Sequence, residues 1–442
     1  MKPYPAYKDS GIEWIGKIPK EWDYRRVKSF IDYNVNGVWG DEPTEDTNNI
    51  VCVRVADFDM ASLGINKGDF TYRNIPESQQ RTRLLSKNDI LIEKSGGGEK
   101  QPVGRSVSVD IDEKAVCSNF IGRIILKNNE AFPRYVEYLF VTLYINGLNQ
   151  KAIKQTTGIQ NLDTDIYFNE FIYLPSLNEQ RAIATYLDRK TSQIDDLIAK
   201  KERLIELLKE ERTAIINQAV TKGLDPNVEM KDSGIEWIGK IPKDWDLKRL
   251  KYCFNFHIGW TPPTGTSEYF IGDNKWATIA DMKQKFVTDT EMYISDDAVK
   301  ESEIKLTPKG SLLYSFKLTV GKVAFAGCDL YTNEAVISII PNEKYNLCFY
   351  YYLLPEILIY NARENIYGAK LLNQELIKNS YLILPTPNEQ KSIATYLDRK
   401  TAQIDTQIER EKNSIELLKE YRTALISEVV TGKIDVRSEV NA

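Results

Sequence analysis

A chain of 442 residues, 42% hydrophobic and 27% charged, is long enough for two or three domains with their own cores. Its net charge of −5 excludes a surface that is basic throughout, so any nucleic-acid contact must come from a local patch or be shared with a partner. One histidine, His257, and five scattered cysteines (Cys52, Cys117, Cys253, Cys328, Cys348) without a CxxC pair argue against imidazole catalysis, histidine metal sites and structural zinc, and predict reduced thiols in a cytoplasmic protein. No apolar run approaches the roughly 20 residues of a membrane span, and the opening "MKPYPAYKDSG" has no signal-peptide core.

The chain opens on a block, "KDSGIEWIGKIPKEWD" (8–23), that returns as "KDSGIEWIGKIPKDWD" (231–246), changed only at Glu21 against Asp244. A variable region follows the first copy. It offers strand-like segments at 49–58, 89–95, 103–111 and 117–126, then a helix-like stretch at 133–148. Next comes a long repeat, Leu177 to Asp225, which matches Pro387 to Asp435 at an offset of 210 without a gap and with about 60% identity. Asn178 and Asn388 are the expected N-caps. More than 40 residues free of Gly and Pro follow each, enough for rods of roughly 60 Å. Apolar residues trace a heptad seam through Ile183, Leu187, Ile194, Ile198, Ile205, Leu208, Ile215 and Ala219. The second copy repeats it through Ile393, Leu397, Ile404, Ile408, Ile415, Leu418, Leu425 and Val429. Seams of this length call for a helical partner. Paired antiparallel and end to end, they would bring the midpoints Lys201 and Glu411 together.

"KGLDPNVEM" (222–230) ends the first rod and leads into the second copy of the plan. The second variable region is 13 residues shorter than the first. It offers strand-like segments at 275–282, 311–317, 320–327 and 331–340, then a helix at 346–362 that Pro355 is expected to kink or break. Gly104 and Gly321 fall at matching points, and so do Ser118-Asn119 and Thr332-Asn333. The predicted division is a first domain over 1–176, a rod and linker over 177–225, a second domain over 226–386, and a rod and tail over 387–442. Near-identical parts should touch something identical twice, and divergent parts two different things. In the repeated block, Trp14, Ile18, Pro19 and Trp22, with Trp237, Ile241, Pro242 and Trp245, are expected to clamp each domain to the rods. A partner contact is the alternative.

Catalytic motifs are missing. "SGGGEKQPVG" (95–104) lacks the GxxxxGK[ST] spacing of a phosphate loop. "TPPT" (261–264) lacks the flanking residues with which an amino-methyltransferase holds its target base. Glu303 and Lys305, with Asp289 or Asp296, superficially resemble a nuclease metal site, a pattern that arises readily by chance in so charged a chain. No metal, cofactor or catalytic residue is therefore assigned.

The motifs "GIEWIGKIPKEWD", "LNEQRAIATYLDRKTSQID" and "GWTPPTGTSEYF" (259–270) are similar to those of the specificity subunit of type I restriction–modification systems, and the likeness spans nearly the whole chain. It implies an α+β fold: two mixed α/β target-recognition domains joined by two long helices in an antiparallel coiled coil, with an internal pseudo-two-fold repeat. It implies that each domain reads half of a split, asymmetric site in double-stranded DNA. It implies two adenine-methyltransferase subunits and restriction/translocase subunits as partners. S-adenosylmethionine, ATP and Mg would be bound by those partners and none by this chain, with no membrane contact. A standalone restriction or methylation enzyme and a protein-only coiled-coil scaffold are the alternatives.

Base reading favours Arg and Lys toward guanine and Asn and Gln toward adenine, while phosphates take Lys, Arg and small polar residues. The candidates in the first domain are Arg73, Arg81, Arg83, Lys94, Lys100, Gln101, Arg105, Gln160 and Asn161. Those in the second are Trp260, Thr261, Lys275, Lys283, Lys317, Lys322, Lys370 and Asn373.

Overall fold

The computed structural model describes residues 3–439 apart from 46–47, 128, 156–157, 318 and 365–369, with side chains at 363–364 and 370–371 also outside the description. The chain divides into two compact units, Met1–Glu202 with Lys412–Ala442, and Arg203–Glu411. Both long repeats are single helices, the first rod Leu177–Lys222 and the second rod Pro387–Val430. Each is divided between the units beside its heptad midpoint.

In the first unit, β1 (Ile31–Asn36), β2 (Asn49–Val53), β3 (Tyr72–Asn74), β4 (Ile90–Glu93), β5 (Ser106–Ser108), β6 (Ala115–Cys117) and β7 (Ile121–Leu126) build two sheets. One runs β5-β4-β7-β1 and is antiparallel; the other runs β6-β2-β3, with β6 parallel to β2. Helix α1 (Pro133–Ile145) starts with proline at its first turn, where no donor is lost. Its Tyr135, Val136, Tyr138 and Leu139 share one core with Ile90, Ile92 and Ile124 of the sheet.

The second unit repeats the plan. Here β8 (Phe256–Ile258), β9 (Asn274–Ala277), β10 (Met292–Ile294), β11 (Leu312–Ser315), β12 (Val323–Ala326), β13 (Tyr331–Thr332) and β14 (Val336–Ile339) form β8-β14-β11-β12 and β10-β9-β13. A two-residue strand, Phe286–Val287, extends the first sheet in parallel to β12. Helix α2 (Leu347–Leu358) carries Pro355 inside it without a break at that residue, continues to Leu358 and ends in a 3-10 turn, Ile359–Asn361. The buried face Phe349, Tyr350, Leu353, Leu354 and Ile357 offsets the missing hydrogen bond.

The caps lie two residues before the expected ones, so the rods begin at Leu177 and Pro387. Ser176 and Thr386 are the caps: their hydroxyls lie 3.4 Å from the Glu179 and Glu389 amides. The Glu389 carboxylate returns a 3.0 Å bond from the Thr386 amide, closing an S/T-x-x-E box. Within the first unit, Ile183, Leu187 and Ile194 share a core with Leu425 and Val429, so the start of one rod lies against the end of the other; Ile198 and Leu418 sit at its edge. Within the second unit, Ala219 shares a core with Ile393 and Leu397, and Ile215 sits at its edge. Ile205, Leu208, Ile404, Ile408 and Ile415 are buried, while Lys201 and Glu411 are half-buried. The buried stripe is wider than the seam and takes in Ile216, Val220, Ile426 and Val430.

Identical side chains tie each half-rod to its own domain. The Gln180 amide accepts from the Phe132 N–H at 2.7 Å and donates to the Pro175 carbonyl at 2.8 Å. Gln390 does the same with Asn346 and Pro385, at 2.8 and 2.9 Å. Tyr138 donates to Asp188 at 2.8 Å, and Tyr352 to Asp398 at 2.6 Å. Asp188 also pairs with Arg134, and Asp398 with Lys285.

The repeated block forms a small hairpin in each unit, Tyr7–Asp9 with Lys17–Pro19 and Met230–Asp232 with Lys240–Pro242. Ile18 and Trp22 are buried with Val429 and Val430, and Ile241 and Trp245 with Ala219 and Val220. Each tryptophan thus packs on a rod's C-terminal end. Those ends turn at Gly432 (φ +72°) and Gly223 (φ +80°), the left-handed cap that glycine adopts without strain.

Candidate nucleic-acid interface

Backbone hydrogen bonds give the register between the units. Gly37 N–H donates to Ile121 and Val38 N–H to Cys117; Gly259 N–H donates to Val336 and Trp260 N–H to Thr332. Ser118 N–H donates to Val53, and Asn333 N–H to Ala277. Cys117-Ser118 therefore correspond to Thr332-Asn333, one residue off the match expected from the sequence, and Asn119 corresponds to Glu334. The match of Gly104 with Gly321 holds. Both have positive φ, +113° and +96°, and the next residues, Arg105 and Lys322, accept equivalent bonds from Glu93 and Ser315.

One turn repeats almost unchanged. After β2, Asp57 accepts from the Arg54 amide at 2.8 Å; after β9, Asp281 accepts from the Thr278 amide at 2.7 Å. The segments "RVADF" and "TIADM" carry this lock. It ends β2 at Val53, short of the strand expected to run to position 58.

In the first unit this turn floors a trough. A hollow of about 450 Å³ is lined by Trp39, Arg54, Val55, Ala56, Asn119 and Phe120, among others. It adjoins a wider cleft that shares Val55, Ala56 and Phe120 and runs along the glycine-rich loop to Lys100, Gln101 and Arg105. Phe120 and Trp39 are 47% and 38% exposed, large apolar surface left uncovered at the rim. Gly97 (φ +58°) must be glycine, since a Cβ there would lie 2.8 Å from the Val103 nitrogen.

The candidate residues separate by what already holds them. Arg73 is buried, paired with Glu42 and stacked on Trp39 at 4.6 Å. Gln160 is buried and accepts from the Val103 N–H at 3.2 Å. Arg105 pairs with the buried Glu93 at 2.8 Å. Lys94 contacts Asn36, and burial lowers its pKa. Arg83 bonds the Asn36 carbonyl at 3.1 Å, and exposed Arg81 lies 3.8 Å from Glu77. Asn161 accepts from Ser95 at 2.7 Å, and Lys100 and Gln101 are exposed on the cleft.

In the second unit Lys322 donates to the Ile279 carbonyl at 3.0 Å, across the equivalent turn. Thr261 bonds Glu334, and the Trp260 carbonyl accepts from the Trp276 indole at 2.9 Å. Lys275 donates to Thr288 at 2.8 Å and lies 3.4 Å from Asp289; Lys283 pairs with Glu291 at 2.6 Å. Lys317 is exposed, with its ammonium 5.8 Å from the Phe316 ring centroid. Asn373 caps the helix Gln374–Asn379 through a 2.8 Å bond from the Leu376 amide. The Lys370 side chain lies outside the described residues.

Asp289 is held by Tyr293 and Asp296 by Asn274, while Glu303 ends a short helix at φ +51°. No cluster of three or more metal-ligating side chains occurs among the described residues. Burial lowers the His257 pKa, aided by Lys305, and its Nε2 lies 3.0 Å from Thr307 Oγ1. Burial pushes the Cys52 and Cys117 thiols up to about 12. Among the described residues no helix is long and apolar enough to cross a membrane.

Trp39, Arg54, Asn119 and Phe120 escaped sequence reasoning. The repeated V/I-A-D triplet was the available signal: it aligns the two turns and so the side chains around them.

The family model for the type I restriction modification DNA specificity domain matches residues 19–207 and 242–417. The type I restriction enzyme MjaIX specificity subunit of Methanocaldococcus jannaschii is 33% identical over 194 residues, 42% of this chain and 44% of that one. The putative MjaX specificity subunit of the same organism is 25% identical over 445 residues, 96% of each chain. Two solved structures share the fold, each at 17% identity and over 94% of this chain. One is a chain from work on complex assembly and conformational transition of the type I R-M system (TM-score 0.72, 99% of that chain). The other is the HsdS subunit from Thermoanaerobacter tengcongensis (TM-score 0.58, 98% of that chain).

Proposed function

Because this chain belongs to the type I restriction modification DNA specificity family, we infer that it is the DNA-recognition subunit of such a system. Each unit reads one half of a split, asymmetric site. The observation that carries this is one framework built twice with unlike side chains at the rim of its turn. Trp39, Arg54 and Phe120 of the first unit correspond by register to Thr261, Thr278 and Ala335 of the second. A constant frame with exchanged rim residues suits two different base sequences presented on the same duplex geometry.

The rods and repeated blocks hold the units and offer two equivalent faces. Two adenine-methylating subunits dock there, and restriction/translocase subunits join them. Methyl transfer, ATP hydrolysis and cleavage belong to those partners, with S-adenosylmethionine, ATP and Mg; this chain works in the cytoplasm and supplies no catalytic group. A standalone restriction or methylation enzyme is not favoured, since the family model and the full-length relative are those of specificity subunits.

Exchanging residues 24–173 for the equivalent domain of a relative tests this reading. Sequencing methylated adenines in cells should show one half-site changed and the other kept. A change in both, or methylation independent of this gene, would overturn it. Binding of the complex to its site should also weaken steeply with salt.

A further inference from the structure

The two units supply an internal alignment finer than the one visible in the sequence. In each, the turn after β6 or β13 is tied at the same points. Ser118 N–H donates to Val53 and Ile121 N–H to Ser118; Asn333 N–H donates to Ala277 and Val336 N–H to Asn333. The residue between the ties, Asn119 or Glu334, therefore leaves the same backbone position, and both are exposed. Asn119 stands at the trough beside Trp39 and Phe120. Glu334 accepts from the Thr261 hydroxyl, and Thr261 occupies the register position of Trp39.

The chemistry at this shared position differs in kind. A carboxamide offers a donor and an acceptor together, the pattern that matches adenine N7 and N6 in the major groove. An ionised carboxylate only accepts, which matches the N4 amino group of cytosine and repels the acceptor-rich edge of guanine. The Thr261 hydroxyl bonds one carboxylate oxygen of Glu334, and the second oxygen offers an acceptor to a base.

We propose that Asn119 and Glu334 are equivalent base-reading positions, Asn119 selecting adenine in one half-site and Glu334 selecting cytosine in the other. The inference rests on the reading of the chain as a DNA-recognition subunit. It goes further by naming the residue and the base.

The test uses the full chain assembled with its methyltransferase subunits and a duplex library with both half-sites randomised. Asn119→Glu should move one position of one half-site from A·T toward C·G and weaken the original site roughly tenfold or more. Glu334→Asn should make the reverse change in the other half-site only, and Glu334→Gln should move the same position toward adenine. Both residues are exposed turn residues, so melting temperatures should stay at the wild-type value. Variants that bind with unchanged preference, or that alter both half-sites, overturn the inference. A variant that melts early and binds nowhere assigns the residue to the fold and overturns it too. If the wild-type complex itself selects no split site, the recognition reading falls; if it does and the variants select the same site, only the base-reading inference falls.

Discussion

Arg422 of the second rod reaches Asp195 of the first, with its Nε 3.1 Å from the carboxylate. Shifting both numbers by 210 gives the pair Arg212 and Asp405, which meets at 2.9 Å in the other unit. The same ion pair thus forms twice, once in each unit, with the roles of the rods exchanged. The copies differ in setting. Arg422 is 14% exposed and also donates to the Ala61 carbonyl, whereas Arg212 and Asp405 are 35% and 54% exposed. A double-mutant cycle on stability should give a coupling of about 1 kcal/mol for Arg422–Asp195 and about 0.5 kcal/mol or less for Arg212–Asp405. Equal couplings would mean that burial does not separate the two copies.

The glutamine of each rod's first turn should matter more than its surface neighbours. Gln180→Ala strands the Phe132 N–H and the Pro175 carbonyl, and should cost the first unit roughly 2–4 kcal/mol. Hydrogen exchange of the peptide around Phe132 should accelerate while the second unit keeps its protection. Gln390→Ala should do the converse around Asn346.

Two glycines with nearly the same backbone should respond differently to alanine. At Gly432 (φ +72°) an added Cβ would lie 2.5 Å from Pro19 and 2.9 Å from Trp22. At Gly16 (φ +70°) it would meet open space. Gly16→Ala should cost about 1 kcal/mol for the left-handed conformation alone, and Gly432→Ala clearly more. Denaturant titration of the two variants compares them directly; equal losses would refute the packing of Pro19 and Trp22 on the cap.

Glu137 gives the first unit a pH dependence. Burial raises its carboxyl from 4.5 to about 7, against the downward pull of Arg134 and Ser108. The folded value lies above the unfolded one, so its contribution is fully present below pH 4.5, fades as pH rises, and is gone above about 7. Glu137→Gln, which cannot ionise, should therefore gain on wild type by on the order of 1–3 kcal/mol between pH 4.5 and 8. A stability difference that stays flat across that range would show that Glu137 keeps an ordinary carboxyl.

The duplicated plan and the seam could be read from spacing, because repeats and heptads are patterns along the chain, whereas the α+β class came with the family resemblance. Local chemistry was harder to place even where its signal was present. Asn178 looked like a cap, but the S-L-N-E run puts it at Ser176, and T-P-N-E puts the other at Thr386. The candidate nucleic-acid surface was the least readable part, for a physical reason. Whether a polar side chain is free to meet a ligand depends on partners distant in sequence. Arg73 is taken by Glu42, 31 residues away, and Gln160 by Val103, 57 away. The Asn373 side-chain oxygen caps a helix. Sequence alone matches Asn119 to Asn333, and only the backbone ties of the two units match it to Glu334.

The first unit is made from both ends of the chain, Met1–Glu202 and Lys412–Ala442, while the second is one continuous stretch. On the ribosome this reverses the usual order of completion, in which N-terminal domains fold first. Residues 203–411 have all emerged before Lys412 appears. Until then Trp22, Ile183 and Leu187 lack Leu425, Val429 and Val430, with which they share a core. A nascent chain therefore holds an unfinished first unit until the segment from Lys412 onward has emerged. A stop codon shortly after Glu411 would spare the second unit and leave the first without its covering helix.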